Sequence, residues 1–275
     1  MNTLSGKTIL VTGASMGIGQ AIAEEVARQG GRVLLAARHR QPLEETLAGL
    51  SGQGHEIHQL DVADNRSVEE LAASLQQLDG LVNNAGIYGP IGPLGEIPMA
   101  EFEEAMAINF LGSVRMIRAC LPLLQKSARG KIVNMSGGGA ATPFPRYSAY
   151  ACSKVALVRL TENLSQEYPD LDINCIAPGF VLTRLHEQTR EAGPERAGSG
   201  FFQNTEKQYA TGGVEPSVPA ALTSWLLGPE SDGLSGRFLS APWDPWREPE
   251  FQERLRQQPH LATLRRIDHK DFFCK

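Results

Sequence analysis

The sequence predicts an α/β domain in which helices cover both faces of a parallel sheet. Short apolar runs alternate with segments of helical spacing along most of the 275 residues, a pattern typical of βαβ units. The apolar runs are continuous, as expected for parallel strands that are buried on both sides. A glycine-rich turn joins the first run to the first helical segment, and turns in that position can bind a phosphate group.

The amino-terminal half of the chain supplies four predicted strands. Lys7–Thr12 is a short apolar run, and the helix predicted for 17–30 carries apolar residues at Ile18, Ile22 and Val26 before two glycines end it. The same patterns predict further strands at 33–37, 56–60 and 78–83, and helices at 42–50 and about 67–77.

The second half continues the alternation. A long apolar segment predicts one helix over about 99–126, and later segments repeat the spacing of the first half. The remaining predicted elements are strands at 131–135, 172–177 and 237–240, and helices at 147–168 and about 216–227. Because no repeat or linker interrupts this order, we expect one domain over 1–243, followed by a C-terminal extension over 244–275.

Composition and charge exclude several classes of function. Apolar residues make up 41% of the chain, enough for a sizeable core, and the net charge is −5. A negative net charge argues against nucleic acid or an anionic membrane as the main partner. We expect a cytoplasmic protein because no signal peptide is indicated and no apolar run approaches membrane-spanning length. Reduced thiols are expected at four widely separated cysteines, Cys120, Cys152, Cys175 and Cys274.

The segment Thr12–Gly19 is a candidate phosphate-binding turn. Its glycines at 13, 17 and 19 allow the backbone to turn tightly and to approach a phosphate group closely. The helix that follows presents free N–H groups and the positive end of its dipole to an anion. The spacing is G-x-x-x-G-x-G, and its position between a strand and a helix supports phosphate binding.

The end of the second strand bears on the choice of cofactor. A carboxylate there would bind the ribose hydroxyls of NAD, whereas an arginine would accept the 2′-phosphate of NADP. Arg38 stands at this position and no carboxylate accompanies it, so NADP(H) is preferred, with NAD(H) possible. Met16 occupies the place in the turn where a second basic residue would have strengthened this preference.

Tyr150 and Lys154 are four residues apart at the start of a predicted helix. Their side chains therefore point to the same side, where the ammonium group can lower the pKa of the phenol and suit it to proton transfer. The alternative is a solvated helix face. Asn109 is a polar residue in an otherwise apolar helix, and by itself it favours an outward-facing or locally bonded side chain.

Taken together, these motifs resemble those of the short-chain dehydrogenase/reductase family. The resemblance covers residues 1 to about 240 and includes Asp61-Val62, the run Leu81–Gly86, and the segment Ile173–Thr183. The family fold implies a single doubly wound Rossmann-type domain with a seven-stranded parallel sheet. It also implies a homodimer or homotetramer built on the long helices.

The resemblance implies roles for individual residues of this chain. Tyr150 would be the acid/base, Lys154 would bind the nicotinamide ribose and depress the tyrosine pKa, and Asn109 would hold a proton-relay water. The cofactor-binding residues would be Gly13, Ser15, Gly17, Ile18 and Gly19 at the pyrophosphate, Asp61 and Val62 at the adenine, Asn84, Ala85 and Gly86 near the adjoining ribose, and Pro178, Gly179, Val181 and Thr183 beside the nicotinamide. Met16, in the same turn, is counted with them.

One departure from the family pattern concerns the substrate oxygen. Members usually carry a serine about 13 residues before the tyrosine, and this chain has Gly137 there. Ser136 is the nearest hydroxyl and could take that role if the glycine-rich loop is rearranged. Alternatively, Ser136 is structural, and the substrate is polarised by Tyr150 alone or by Ser148.

Two segments outside the shared motifs have expected roles. Residues 184–213 are polar and glycine-bearing, so we expect a substrate lid, whose polarity favours a polar or acidic substrate unless its charges are solvated helix faces. In the C-terminal extension, Trp243 and Trp246 stand among prolines and suggest a fixed, buried turn. The extension either packs over a neighbouring subunit or the substrate mouth, or it is solvated.

The sequence thus predicts an NADP(H)-preferring oxidoreductase that interconverts a carbonyl and a secondary alcohol, with a small-molecule carbonyl or alcohol as partner. One alternative is an NAD-dependent dehydrogenase that works oxidatively. Another is a dinucleotide-binding regulatory or scaffold protein with weakened catalysis, which Gly137 makes conceivable.

Overall fold

Seven parallel strands form one sheet in the order β3-β2-β1-β4-β5-β6-β7. The computed structural model describes residues 2–266. The strands are β1 Thr8–Thr12, β2 Arg32–Ala37, β3 Glu56–Gln59, β4 Gly80–Asn83, β5 Lys131–Met135, β6 Asp172–Ala177 and β7 Phe238–Ser240. All six neighbouring pairs are parallel, which confirms the predicted doubly wound sheet.

Helices connect the strands and cover both faces of the sheet. Their bounds are α1 Gly17–Arg28, α2 Arg40–Gly49, α3 Asn65–Ser74, α4 Met99–Met106, α5 Gly112–Leu124, α6 Ser148–Glu167, α7 Arg184–Ala197, α8 Ser199–Thr211, α9 Ser217–Leu227 and α10 Pro249–Gln257. Predicted and observed strands and helices agree to within a few residues at most ends.

The core lies in two layers, one on each face of the sheet. Successive side chains of a strand point to opposite faces, so Ile9 and Val11 pack with α1 and α9 while Leu10 packs with α3 and α5. This two-sided burial explains why the strands are continuous apolar runs. Between β1 and β4 the chain reverses its direction of growth across the sheet, which leaves a crevice at the carboxyl ends of these two strands.

The long helix predicted over 99–126 is divided in the structure. One turn of π-helix, Ala107–Leu111, separates α4 from α5. By length and composition the whole stretch Met99–Leu124 could cross a membrane, although no single apolar run in the sequence suggested this. Its apolar character has another explanation, because residues such as Met116 and Leu124 are fully buried against the sheet.

The lid segment, residues 184–213, consists of two helices. Gly193 (φ +72°) breaks α7 just before Pro194, and Gly198 (φ +84°) separates α7 from α8. Its charged side chains face outward, as the exposed Arg190–Glu206 ion pair illustrates. The buried positions of the inner face include the polar side chains of His186, Thr189 and Thr205, and a polar substrate stays a prediction.

The described part of the C-terminal extension, 244–266, packs on its own chain. Trp246 and Leu255 are buried in the core layer that contains α1 and α9. The N–H of Phe238 in β7 donates to the carbonyl oxygen of Ala262 at 2.7 Å, so the extension covers this edge of the sheet. The expectation that both tryptophans are buried is wrong for Trp243, which is 74% exposed. Cys274 lies outside the described residues.

Arg237 anchors this extension to the end of the sheet. Its guanidinium group donates to the carbonyl oxygens of Pro259 (2.6 Å), Leu261 (3.0 Å) and Leu255 (2.7 Å). Its side chain is buried, and burial lowers the pKa of Arg237. A buried guanidinium is stable only with such acceptors, and the acceptors depend equally on it.

Arg237→Leu should therefore lower the free energy of unfolding by about 3 kcal/mol, because three carbonyl groups, that of the buried Leu255 among them, lose their donor. The measurement is urea denaturation followed by circular dichroism. Arg256→Leu is the matched control, since this exposed arginine also donates to a carbonyl, that of Glu230. A change of about 0.5 kcal/mol or less is expected there. Equal effects of the two substitutions would contradict the anchoring role.

Candidate active site

The turn between β1 and α1 is built around glycines that no other residue could replace. Gly13 (φ +65°) and Gly17 (φ +57°) adopt left-handed backbone conformations. A Cβ at Gly19 would lie 2.1 Å from the carbonyl oxygen of Gly13. The backbone segments at Gly13 and Gly19 are therefore in close contact. Ser15 lies in this turn.

The start of α1 is suited to an anion. Met16 is the N-cap residue, and its side chain is 48% exposed and makes no capping hydrogen bond. The first N–H groups of a helix without such a cap need solvent or a ligand as partner. Ile18, in the first turn, packs against the core and fixes the direction of the helix. The turn is therefore compatible with a pyrophosphate group, and the individual binding residues stay predictions.

Residues after β4 hold the turn between β1 and α1 in place through hydrogen bonds. The side-chain amide of Asn84 donates to the carbonyl oxygens of Thr12 (3.0 Å) and Gly13 (3.2 Å). The hydroxyl of Thr12 accepts from the backbone N–H groups of Asn84 and Ala85. The two loops that border the crevice between β1 and β4 are thus one hydrogen-bonded unit.

The residues expected at the adenine end lie at the carboxyl ends of β2 and β3. Asp61 accepts from the N–H of Ala63 at 2.9 Å, and Val62 is buried against Gly112. Arg38 is exposed directly after β2, and its guanidinium forms no ion pair with any residue in 2–266. A free guanidinium in this position fits a phosphate ligand.

Tyr150 and Lys154 lie on one side of α6 and are both buried. The Lys154 Nζ atom donates to the carbonyl oxygen of Met135 at 2.9 Å and lies 5.4 Å from the centre of the Tyr150 ring. A Cβ at Gly86 would lie 3.4 Å from Nζ and 3.1 Å from Asn109 Oδ1. The structure therefore brings together the loop after β4, the π-helical turn and α6.

The protonation of this pair differs from the sequence-based expectation. Burial raises the pKa of Tyr150, where a lowered value was expected, and burial lowers the pKa of Lys154 to about 8. Desolvation disfavours the charged form of each group and is the largest cause of both shifts. At neutral pH the phenol is therefore protonated.

Asn109 is fully buried in the π-helical turn, so the outward-facing alternative is excluded. Its Oδ1 accepts from the N–H of Ile87 at 2.8 Å, and its Nδ2 donates to the Ile87 carbonyl oxygen at 2.8 Å and to Ser153 Oγ at 3.0 Å. Both N–H donors and one acceptor position of the side chain thus join the loop after β4 to α6.

The structure puts Gly137, and not Ser136, beside the tyrosine hydroxyl. A Cβ at Gly137 would lie 2.2 Å from Tyr150 Oη. The hydroxyl of Ser136 is buried and donates to the carbonyl oxygen of Lys154 at 3.3 Å. Ser136 is thus engaged in the packing of α6 on β5, and Ser148 lies half-buried at the start of α6.

The segment after β6 approaches the phosphate turn from the other side. Gly179 has a φ of +84°, and Val181 is buried. A Cβ at Gly17 would lie 3.3 Å from Thr183 Cγ2, so this segment, which begins at Pro178, borders the start of α1. Residues from both halves of the sheet therefore line one crevice.

An aromatic cluster next to Tyr150 was not predicted from the sequence. It is defined by Tyr88, Phe144, Tyr147, Tyr150, Phe180, His186 and Phe201, whose rings are in stacked, tilted or edge contact. The sequence signal that could have indicated this cluster was the position of Tyr88, two residues after Gly86. Within residues 2–266, no three His, Cys, Asp or Glu side chains form a group that could hold a metal ion.

Known proteins share this sequence pattern and this architecture. The short chain dehydrogenase family model matches residues 7–193. The benzil reductase ((S)-benzoin forming) of Saccharomyces cerevisiae is 32% identical over 250 residues, covering 85% of this chain and 95% of that protein. A short chain dehydrogenase of Shigella flexneri complexed with NADP is 28% identical, with a TM-score of 0.75 and coverage of 87% and 98%.

A short chain dehydrogenase of Escherichia coli complexed with NADPH gives a TM-score of 0.76 at 28% identity, covering 88% of this chain and 98% of that one. The parallel sheet, the phosphate turn and the buried tyrosine–lysine pair define a dinucleotide-dependent oxidoreductase. The chain belongs to the short-chain dehydrogenase/reductase family.

Gly137→Ala should reduce turnover by about 10²-fold or more, because the new Cβ would displace the Tyr150 hydroxyl and small displacements of reacting groups cost that much. Turnover is measured with NADPH and a panel of carbonyl compounds. Gly138→Ala is the matched control, since a Cβ there meets only Phe144 atoms at 3.6–3.7 Å. Similar turnover by the two variants would contradict the close approach of Gly137 to the Tyr150 hydroxyl.

Proposed function

We propose that this protein is an NADP(H)-preferring reductase that interconverts a carbonyl and a secondary alcohol. The observation that carries the proposal is the buried pair Tyr150 and Lys154, held together with Asn109 at the crevice that the phosphate turn borders. A binding protein without catalysis has no use for a phenol and an ammonium group buried together. The NADP and NADPH complexes of two similar structures support the choice of cofactor.

Each part of the site has a role in this reaction. The N–H groups at the start of α1 would hold the pyrophosphate, Arg38 the 2′-phosphate, and Lys154 the nicotinamide ribose through the two N–H bonds that Met135 does not use. When bound, the cofactor supplies the hydride for carbonyl reduction. Tyr150 Oη donates the proton to the carbonyl oxygen, and the ammonium group of Lys154 stabilises the resulting phenolate.

Reduction is the direction we propose, because the exposed Arg38 and the NADP and NADPH complexes of two similar structures favour NADP(H). Burial raises the pKa of Tyr150, so the phenol holds the proton that reduction requires. Lys154, with its pKa lowered to about 8, carries its charge at neutral pH and loses it above that value. An NAD-dependent oxidative role is therefore the weaker proposal. Cytoplasmic location and assembly as a homodimer or homotetramer stay predictions.

Tyr150→Phe should lower turnover by about 10³-fold, because the proton donor is lost while the ring is kept. Turnover is followed as NADPH oxidation with a panel of carbonyl compounds, and the Kd for NADPH should stay at the wild-type value. Retained turnover in the variant would overturn the proposed mechanism. A wild type without turnover across the panel would instead support the dinucleotide-binding regulatory protein that Gly137 made conceivable.

Arg38→Gln should raise the Kd for NADPH by about 10- to 100-fold and leave the Kd for NADH nearly unchanged, because only NADPH loses a charge-assisted contact. Isothermal titration calorimetry measures both constants. Arg40→Gln is the matched control, since this neighbouring exposed arginine is paired with Glu44 at 2.8 Å. A preference for NADPH that survives Arg38→Gln would show that the 2′-phosphate is bound elsewhere.

A further inference from the structure

A reductase of this kind needs a second hydrogen-bond donor for the substrate oxygen, and the usual position supplies none. Gly137 has no side chain, and its Cα already borders Tyr150 Oη. The hydroxyl of Ser136 is committed to the carbonyl oxygen of Lys154. A donor that strengthens its hydrogen bond as negative charge develops on the oxygen contributes strongly to catalysis, so its apparent absence requires an explanation.

Tyr88 is the hydroxyl-bearing side chain that contacts the ring of Tyr150 most directly. The two rings meet edge to face, with centres 4.8 Å apart and planes at 87°. Tyr88 is 3% exposed, and burial together with the neighbouring Tyr150 raises its pKa, so its hydroxyl stays protonated. It reaches this place because it follows Gly86, the residue beside Lys154 and Asn109, by two positions.

His186 gives the Tyr88 hydroxyl a defined partner. Tyr88 Oη lies 3.0 Å from His186 Nδ1, and both side chains are buried. The imidazole ring stacks on Phe180, with centres 3.8 Å apart and planes at 13°, which fixes its orientation. Burial lowers the pKa of His186 to about 4, so the ring is neutral at physiological pH and carries one N–H.

We propose, on the basis of the proposed reductase function, that Tyr88 donates a hydrogen bond to the substrate carbonyl oxygen and takes the place of the missing serine. His186 is then a positioning residue. In the tautomer with the proton on Nδ1, the imidazole donates to Tyr88 Oη and leaves the phenolic proton free for the substrate. The substrate oxygen would thus lie between two tyrosine hydroxyls, with Tyr150 transferring the proton.

This assignment ties the donor to the lid segment. Tyr88 belongs to the loop after β4, whereas His186 belongs to α7, the first helix of the lid segment. The hydrogen bond between them therefore exists only while α7 packs on the site. A substrate would then have both hydroxyl donors, Tyr88 and Tyr150, only while α7 is packed on the site. The packing of α7 would thus be coupled to proton transfer.

The same cluster contains a hydroxyl pair that serves as a matched control. Tyr147 is fully buried, and its hydroxyl donates to Thr189 Oγ1 at 2.9 Å, also between the core and α7. If tyrosine hydroxyls in this cluster only hold the lid segment in place, Tyr88→Phe and Tyr147→Phe should have equal effects. If Tyr88 contacts the substrate, their kinetic effects should differ.

The test compares these variants in the full-length enzyme. Tyr88→Phe should lower kcat for carbonyl reduction by about 10²-fold, with the Kd for NADPH unchanged, whereas Tyr147→Phe should keep the wild-type kcat. His186→Leu should resemble Tyr88→Phe, and His186→Asn should restore much of kcat, because its amide can replace Nδ1 as partner. In the Tyr88→Phe background, His186→Leu should cause no further decrease in kcat.

Several results would overturn the assignment. Equal kcat values for Tyr88→Phe and Tyr147→Phe, in an enzyme that Tyr150→Phe inactivates, would refute the role of Tyr88 and leave the proposed function intact. A further loss from His186→Leu in the Tyr88→Phe background would refute the positioning role of His186. Absence of turnover in the wild type would overturn both the assignment and the function on which it rests.

Discussion

The site depends on the hydrogen bonds of one buried side chain in the π-helical turn between α4 and α5. Asn109 bonds both backbone groups of Ile87 and the hydroxyl of Ser153, and so joins three segments that are far apart in sequence. The side chain projects from a π-helical turn, a local distortion of helices that occurs frequently at functional sites. An unpaired amide group in this interior would lower the stability of the fold. The hydrogen bonds of Asn109 therefore hold the three segments in position.

The fold could be predicted almost completely from the sequence, because strands that are buried on both faces consist of continuous apolar runs. Helix ends were less certain. The helix predicted from Ser67 begins at Asn65, where Asp64 caps it by accepting from the N–H of Arg66. The lid segment was harder still, since its two helices, α7 and α8, were not predicted from its sequence. Trp243 shows that an aromatic residue among prolines can remain exposed.

The candidate site was predictable where its residues are close in the sequence and unpredictable where they are not. The phosphate turn and the Tyr150–Lys154 pair follow from local spacing. Tyr88 and His186 are 98 positions apart, and only the folded chain brings them together. The direction of the shift in the Tyr150 pKa was also predicted wrongly. The spacing of Tyr150 and Lys154 in the sequence indicates a neighbouring charge, but it does not indicate the desolvation of both groups.

The contact between Ala262 and Phe238 has a consequence for how copies of this protein can meet. The outer edge of a sheet normally offers unpaired backbone groups to any other strand, including that of a second molecule. In this chain the C-terminal segment already occupies that position on β7. The segment therefore hinders a continuous sheet across two molecules at β7 and protects the protein from aggregation at that edge, whereas β3 remains the other edge of the sheet.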